Sequence, residues 1–94
     1  MANGKKWYYE FWMFKKNFDL QTSASGKALS MELRDGHFAR GHERTVWFPL
    51  SQCKVGEVNE VGNVRVLIPC WIVNERTNYK PCMLDTQYTA RIEM

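Results

Sequence analysis

Hydrophobic and polar residues alternate through several segments of this chain, which is the pattern of β-strands with one face in water. The clearest example covers residues 27–33, where leucine or methionine occupies every second position from 29 onward. The Asp-Gly pair at 35–36 follows and tolerates the positive φ of a tight hairpin turn. Residues 37–44 then form either the returning strand or a loop with its own turn at Gly41.

A strand is also predicted in the middle of the chain, where Val46, Trp47 and Phe48 suit a pleated, half-buried surface. Pro49 has no N–H to give to a ladder, so we expect this strand to end at Phe48 or Pro49. Residues 50–52 then turn the chain. Because Trp47 belongs to an apolar run that a proline ends, we expect it to lie in the core.

The polar segment 56–63 is typical of a turn, and residues 64–68, VRVLI, predict another strand. The proline that ends this strand also suits the first turn of a helix, where its missing N–H costs nothing. We therefore expect one short helix near residues 69–76. Trp71, and with it Ile72, is expected to pack on the sheet.

The stretch 5–18, KKWYYEFWMFKKNF, holds seven of the thirteen aromatic residues. Its apolar residues fit two periods: every second residue from Trp7 forms one face of a strand, whereas Trp7, Phe11, Phe14 and Phe18 form a stripe on a helix. The aromatic content and the absence of a capping Ser, Thr or Asp before Trp7 favour a strand. Its two apolar faces indicate a central or ligand-covered strand.

The last strand is predicted near the end of the chain, where Tyr88, Ala90 and Ile92 alternate with polar residues. The total is five or six short strands and at most one short helix. This pattern predicts a mainly β protein, built as a small antiparallel barrel or strongly curved sheet of OB-like or SH3-like form, because closure removes exposed edges. At 94 residues we expect a single domain over 1–94.

Two runs of this sequence, WFPLSQ and the later VLIPCWIVNE, resemble small uncharacterised β proteins of bacteriophages and mobile elements. The resemblance spans roughly residues 27–76. It rests strictly on Trp47, Pro49, Ser51, Gln52, Pro69 and Trp71. The chain departs from the pattern at Cys53, where an aliphatic residue is usual, and at Cys70, where an acidic one is. The resemblance implies a phage-like origin and a small β-rich fold, and it brings no established activity.

The composition, with 45% hydrophobic and 24% charged residues, is that of a soluble globular protein. No apolar run approaches the roughly 18 residues that span a bilayer, and the aromatic stretch contains Glu10, unlike a signal-peptide core. The three cysteines have neither a C-x-x-C pair nor regular spacing, which indicates free thiols in a reducing compartment. We therefore expect a cytoplasmic protein without membrane contact.

The net charge of +3 is uneven, because residues 1–54 hold nine Lys or Arg against five Asp or Glu, and residues 55–94 hold four against five. Lysine pairs bracket the aromatic N-terminal stretch. Aromatic faces that stack bases and lysines that meet phosphates would bind single-stranded nucleic acid, but the same aromatics are typical of a protein-binding patch or of a core. The residues expected to contact the partner are Lys5, Lys6, Trp7, Tyr8, Trp12, Lys15, Lys16, Arg40 and Arg44.

Other combinations of reactive side chains are less typical of a site. His37, His42 and the cysteines do not have the spacing of a zinc finger, ribbon or knuckle. Segment 35–43 offers acid–base groups, but charged residues beside turn glycines are typical of solvated loops. Ser51 and Cys53 lack the setting that activates a nucleophile. We expect no metal, no cofactor and no catalysis.

Two functions therefore remain in competition. The first is a non-catalytic phage or mobile-element protein that contacts single-stranded nucleic acid or a nucleoprotein complex. The second is a protein–protein inhibitor that blocks a host defence system, such as a CRISPR effector or a restriction nuclease, by occlusion in the host cytoplasm. Binding of nucleic acid through several lysines weakens steeply with salt, whereas a hydrophobic protein interface does not. The sequence leaves the oligomeric state open.

Overall fold

The computed structural model describes residues 6–34 and 44–94, which contain six strands, two α-helices and two short 3-10 turns. The strands are β1 (Trp7–Phe14), β2 (Ala28–Glu32), β3 (Thr45–Pro49), β4 (Lys54–Val58), β5 (Asn63–Pro69) and β6 (Tyr88–Glu93). The helices are α1 (Lys15–Gln21) and α2 (Cys70–Thr77), and the 3-10 turns cover Leu50–Gln52 and Pro81–Met83.

These strands form two antiparallel sheets. The larger sheet has the order β4-β5-β1-β6, so the aromatic strand β1 is paired on both sides, and the smaller sheet pairs β2 with β3. The predicted mainly β fold and curved sheet are confirmed. The alternative of a closed barrel is wrong, since neither sheet closes on itself within the described residues.

The core lies against one face of β1. Tyr9, Phe11 and Met13 are buried on this face, and β5 sets a valine or isoleucine opposite each of them in register. The smaller sheet covers them with alternate residues that include Leu29 and Phe48, both fully buried. The strands predicted within residues 27–33, 45–49 and 64–68 are thus confirmed, and each of them turns an apolar face to this core.

The two tryptophans predicted for the core are both at the surface: Trp47 is 47% exposed and Trp71 is 62% exposed. Successive strand residues point to opposite faces, so the burial of the residues on either side of Trp47 forces its ring outward. On α2 the buried residues are Cys70, Ile72, Val73 and Thr77, and a step of one residue turns a helix by about 100°. That step places Trp71 on the solvent side.

The sequence pattern does not predict two of the elements. β4 overlaps the segment expected to be a turn, and all five of its residues are exposed on an edge of the larger sheet. Helix α1 has no capping side chain and buries no residue. Lys15 and Lys16 form its first turn and so lie outside the N-terminal strand. The expected turn is confined to residues 59–62, where Gly62 has a φ of 85°.

The hairpin turn predicted at residues 35–36 and the turn at Gly41 lie outside the described residues. The strands that flank this segment do pair in antiparallel fashion, with Glu32 opposite Thr45. Within residues 6–34 and 44–94, neither α-helix has the length and apolar character needed to cross a membrane.

Candidate functional site

A groove of about 750 Å³ lies between α2 and the adjoining ends of β1 and β6. We call it the aromatic groove. Three aromatic rings, two cationic side chains and an amide are prominent in its lining: Trp7, Trp71, Tyr79, Lys6, Arg91 and Asn74. Its volume lies within the roughly 300–1,000 Å³ of ordinary ligand sites.

The sheet supplies one wall of the aromatic groove. Trp7 opens β1 on the same face as the core residue Tyr9, but it lies beyond the cover of the core and is 45% exposed. Arg91 lies on β6 opposite Tyr9, and its guanidinium carbon is 4.8 Å from the centroid of the Trp7 ring. Lys6 exchanges two backbone hydrogen bonds of 2.8 Å with Met94, which fixes the backbone beside Trp7.

Helix α2 supplies the opposite wall. Trp71, Asn74 and Asn78 recur at spacings of three and four residues, so they share one face of the helix, away from the buried pair Ile72 and Val73. This face is solvent-exposed because the other side of α2 packs on the core. The helix therefore presents a tryptophan and two amides to the groove.

The backbone after α2 is held in an uncommon conformation. Asn78 has a φ of 54° and Tyr79 a φ of 63°, both in the left-handed region. The Tyr79 N–H donates to the Asn74 carbonyl at 2.6 Å, and the Lys80 N–H donates to the Thr77 carbonyl at 3.1 Å. This conformation costs free energy for residues other than glycine, and it brings the Tyr79 ring, 78% exposed, to the rim of the aromatic groove.

The three rings of the aromatic groove form no ring pair with one another. The close ring pair within the described residues is Tyr9 with Tyr88, whose centroids are 4.7 Å apart. Neither Trp7, Trp71 nor Tyr79 stacks on another described ring. The Arg91 guanidinium lies over the Trp7 ring, and Trp71 and Tyr79 are the more exposed rings of the groove.

A buried hydrogen bond sets the orientation of the groove amide. The Tyr9 hydroxyl donates to Asn74 Oδ1 at 3.0 Å. Burial, the largest influence, raises the pKa of Tyr9 above its usual value, so the hydroxyl keeps its proton at neutral pH. The carboxylate of Glu75, also on the rim, pairs with Arg76 Nη1 at 2.6 Å.

The groove also contains a buried thiol, Cys70, at the start of α2. Burial raises the pKa of Cys70, while its contact with the Arg91 guanidinium acts in the opposite direction and is the smaller influence. The thiolate is the nucleophilic form of cysteine, so a raised pKa disfavours reactivity.

The residues predicted to contact a partner are divided between separate surfaces. Lys6 and Trp7 lie in the aromatic groove. Tyr8 is buried on the opposite face of β1, with Lys54 Nζ 5.8 Å from its ring centroid. Trp12 is on that same opposite face, five residues from Trp7 and hence roughly 17 Å away along the strand.

The remaining predicted contacts lie away from the aromatic groove or outside the described residues. Lys15 and Lys16 are exposed on α1 at the far end of β1, and Lys15 pairs with Asp19. Arg44 Nη2 donates to the Leu33 carbonyl at 3.1 Å. Lys5 and Arg40 lie outside the described residues.

The far end of β1 carries a smaller exposed apolar cluster. Trp12 and Phe14 line a cavity of about 190 Å³ there. Between this cluster and Tyr8, the Glu10 carboxylate accepts hydrogen bonds from Thr89 Oγ1 at 2.6 Å and from Arg65 Nε at 2.5 Å. These two donors, Thr89 first, lower the pKa of Glu10, so the carboxylate stays ionised and is paired with the Arg65 guanidinium.

Sequence reasoning missed most of the aromatic groove. Trp71 was expected in the core, and Asn74, Tyr79 and Arg91 were not singled out. The spacing of Trp71, Asn74 and Asn78 was a usable signal, because it marks a polar and aromatic helix face opposite an apolar one. No comparable signal identifies Tyr79 or Arg91, whose positions depend on how distant segments pair.

The described residues contain no group of three or more His, Cys, Asp or Glu able to hold a metal ion. His37 and His42 lie outside them. Cys53, Cys70 and Cys82 are all free thiols. No protein-family model, curated protein or solved structure significantly matches this chain, so its function is inferred from the groove itself.

Proposed function

We propose that this chain is a non-catalytic binding protein that holds single-stranded nucleic acid in the aromatic groove. The observation that carries the proposal is the convergence of three exposed, unstacked rings with Lys6 and Arg91 on one groove. Proteins that bind single strands combine such rings, on which bases stack, with cations that follow the phosphates.

The energetics favour a ligand that is both planar and anionic. Stacking of a base on an aromatic side chain contributes about 1–3 kcal/mol, so Trp71 and Tyr79 together supply several kcal/mol. Lys6 and Arg91 are cations that line the same groove, and each phosphate that a cation meets releases a counterion. A non-catalytic role is supported by Cys70, the nucleophilic side chain of the groove, because burial keeps it protonated.

The test is binding of fluorescent single strands of about nine nucleotides, measured between about 50 and 200 mM salt. Trp71→Ala and Tyr79→Ala should each weaken binding by about 1–3 kcal/mol without changing the salt slope. Lys6→Ala should reduce the magnitude of the slope by about 0.7, the value for one phosphate contact on a single strand.

Matched controls come from the same chain. Trp47→Ala removes another exposed tryptophan, which lies outside the groove, and Lys27→Ala removes an exposed lysine outside it. Neither should alter affinity. The proposal fails if no single strand binds at low salt, or if Trp47→Ala weakens binding as much as Trp71→Ala does.

Lys15 and Lys16 remain expected contacts for a single-stranded nucleic acid that is long enough to continue beyond the groove. The double variant Lys15→Ala plus Lys16→Ala should lower affinity for longer oligonucleotides and flatten the salt slope by about one to two units. It should leave an oligonucleotide that is too short to reach α1 unaffected, because α1 and the groove are at opposite ends of β1.

A second candidate function is inhibition of a host defence complex by occlusion. The observation in its favour is that all four tryptophans are at least 38% exposed, and tryptophan is typical of binding hot spots. In this proposal the chain is a phage or mobile-element protein that acts in the cytoplasm of its host on a CRISPR effector or a restriction nuclease. Capture of such a complex that survives nuclease treatment, and that is lost in Trp47→Ala, would favour it.

A further inference from the structure

The pairing of β1 with β6 places Arg91 beside Trp7. Tyr9 lies opposite Arg91 and Trp7 lies opposite Glu93, so Trp7 and Arg91 are diagonal neighbours on one face of the sheet. Aromatic and long side chains reach one another across such a diagonal. The guanidinium carbon is 4.8 Å from the centroid of the Trp7 ring, within the roughly 6 Å of a cation–π contact.

The Arg91 guanidinium has no anionic partner in residues 6–34 and 44–94. No carboxylate there forms an ion pair with it, including Glu93 on the same strand. The Cys70 thiol, which it contacts, is only a weak acceptor. The tryptophan face attracts the charge of the guanidinium but supplies no oxygen acceptor for its N–H groups. The cation is therefore held in the groove while its donors still lack an anion.

The three rings of the aromatic groove thus differ in their contacts. Trp71 and Tyr79 are 62% and 78% exposed, and neither has a cation over its ring among the described residues, whereas Trp7 is 45% exposed and has Arg91 over it. A base that stacks on the face that Arg91 contacts has to displace the guanidinium. A phosphate that Arg91 binds leaves this contact intact, so the arrangement favours a phosphate at this point.

Holding the guanidinium in advance matters because arginine has many rotamers, and binding a ligand through a freely moving side chain costs the entropy of fixing it. The planar guanidinium matches a phosphate with two parallel N–H bonds, which requires a defined orientation. A contact that limits the motion of Arg91 before the ligand arrives therefore strengthens binding without touching the ligand.

We propose that Trp7 is a positioning residue of the aromatic groove, which holds the Arg91 guanidinium for a phosphate of the ligand while bases stack on Trp71 and Tyr79. The inference rests on the proposed binding of single strands. A cation–π contact at an exposed site corresponds to a roughly two- to fivefold change in affinity.

The test is a double-mutant cycle with Trp7→Ala, Arg91→Ala and the double variant, on single strands of about nine nucleotides between about 50 and 200 mM salt. Trp7→Ala should weaken binding roughly two- to fivefold in the parent, and by less than about twofold when Arg91 is already replaced. Arg91→Ala should reduce the magnitude of the salt slope by about 0.7, the value for one phosphate contact. Trp7→Phe keeps a ring for the guanidinium and should lose less affinity than Trp7→Ala.

Trp71→Ala is the matched control, because it removes a groove tryptophan that has no cation over its ring. Combined with Arg91→Ala, its loss of affinity should be additive. Thermal melting of each variant shows whether the fold is intact, and Trp7→Phe provides the comparison with Arg91→Ala where Trp7→Ala is unstable.

The outcomes separate this inference from the proposed function. If Trp7→Ala weakens binding by the same factor with and without Arg91, Trp7 meets the ligand directly and its positioning role is refuted, while single-strand binding stands. The same holds if Arg91→Ala leaves the salt slope unchanged, or if Trp71→Ala couples to Arg91→Ala as strongly as Trp7→Ala does. If no strand binds at low salt, the proposed function and this inference both fail.

Discussion

Tyr79→Gly is expected to give a more stable protein than Tyr79→Ala, although both variants lose the same aromatic ring. Tyr79 has a φ of 63°. A residue with a Cβ costs about 1–2 kcal/mol in this left-handed region, whereas glycine adopts it freely. Glycine also gains freedom in the unfolded chain, which costs the fold about 0.5–1 kcal/mol. The glycine variant should therefore be more stable by about 0.5–1 kcal/mol.

The comparison isolates backbone strain from ring contacts. The ring is 78% exposed, and whatever packing it makes is lost equally in both variants. For a chain of this size, 1 kcal/mol corresponds to about 4–8 °C in Tm. Both variants should also lose the same affinity for single strands, about 1–3 kcal/mol, because stacking depends on the ring.

The assay is urea unfolding followed by tryptophan fluorescence, with unchanged m-values as the check that both proteins unfold alike. Lys80 provides the control, because its φ of −127° lies outside the left-handed region. The Lys80→Ala variant should therefore be more stable than the Lys80→Gly variant. If Tyr79→Ala is as stable as Tyr79→Gly, or more stable, the backbone at Tyr79 is not strained.

Three further predictions concern the core, the charge of Glu10 and a buried thiol. Phe11→Ala should destabilise the fold by about 3–5 kcal/mol, because Phe11 is fully buried, whereas Trp47→Ala should cost far less in the same urea titration. Hydrogen bonds from Thr89 and Arg65 lower the pKa of Glu10 in the folded state. The ionised carboxylate therefore stabilises the fold at pH values above its unfolded pKa of 4.5, and this stabilisation is lost as the pH falls through the folded pKa. Glu10→Gln should therefore flatten the acid limb of stability against pH, and an unchanged limb would contradict that assignment. Burial raises the pKa of Cys53 to about 11, so at pH 8 iodoacetamide should alkylate the exposed Cys82 well before Cys53, as mass spectrometry of peptides would show.

Most strands of this protein could be predicted from sequence because alternation is a local property. Residues 28–32 and 88–93 each alternate between apolar and polar side chains, residues 45–49 are rich in β-branched and aromatic side chains, and each segment forms a strand. The helix at Cys70–Thr77 was predictable because Pro69 removes an N–H where a strand ends and a helix begins. β4 and α1 were not, since β4 is an exposed edge strand and α1 has neither a cap nor a buried face.

For the candidate site, the sequence identified Lys6 and Trp7 but grouped them with residues that lie elsewhere. Grouping by proximity along the chain fails on a strand for two reasons. Neighbouring side chains point to opposite faces, which separates Tyr8 from Trp7, and the rise of about 3.4 Å per residue carries Trp12 and Lys15 to the other end.

The sequence by itself determined the mainly β character, the element boundaries set by proline and the apolar face of each strand, because these depend on neighbours along the chain. Only the tertiary structure decided that Trp47 and Trp71 lie at the surface, since Val46 and Phe48 on β3, and Ile72 and Val73 on α2, make the contacts with the core. It also decided the groove. The antiparallel pairing of β1 with β5 and β6 brings the start of β1, the start of α2 and the end of β6 to one end of the larger sheet. Trp7, Trp71 and Arg91 line the same groove there.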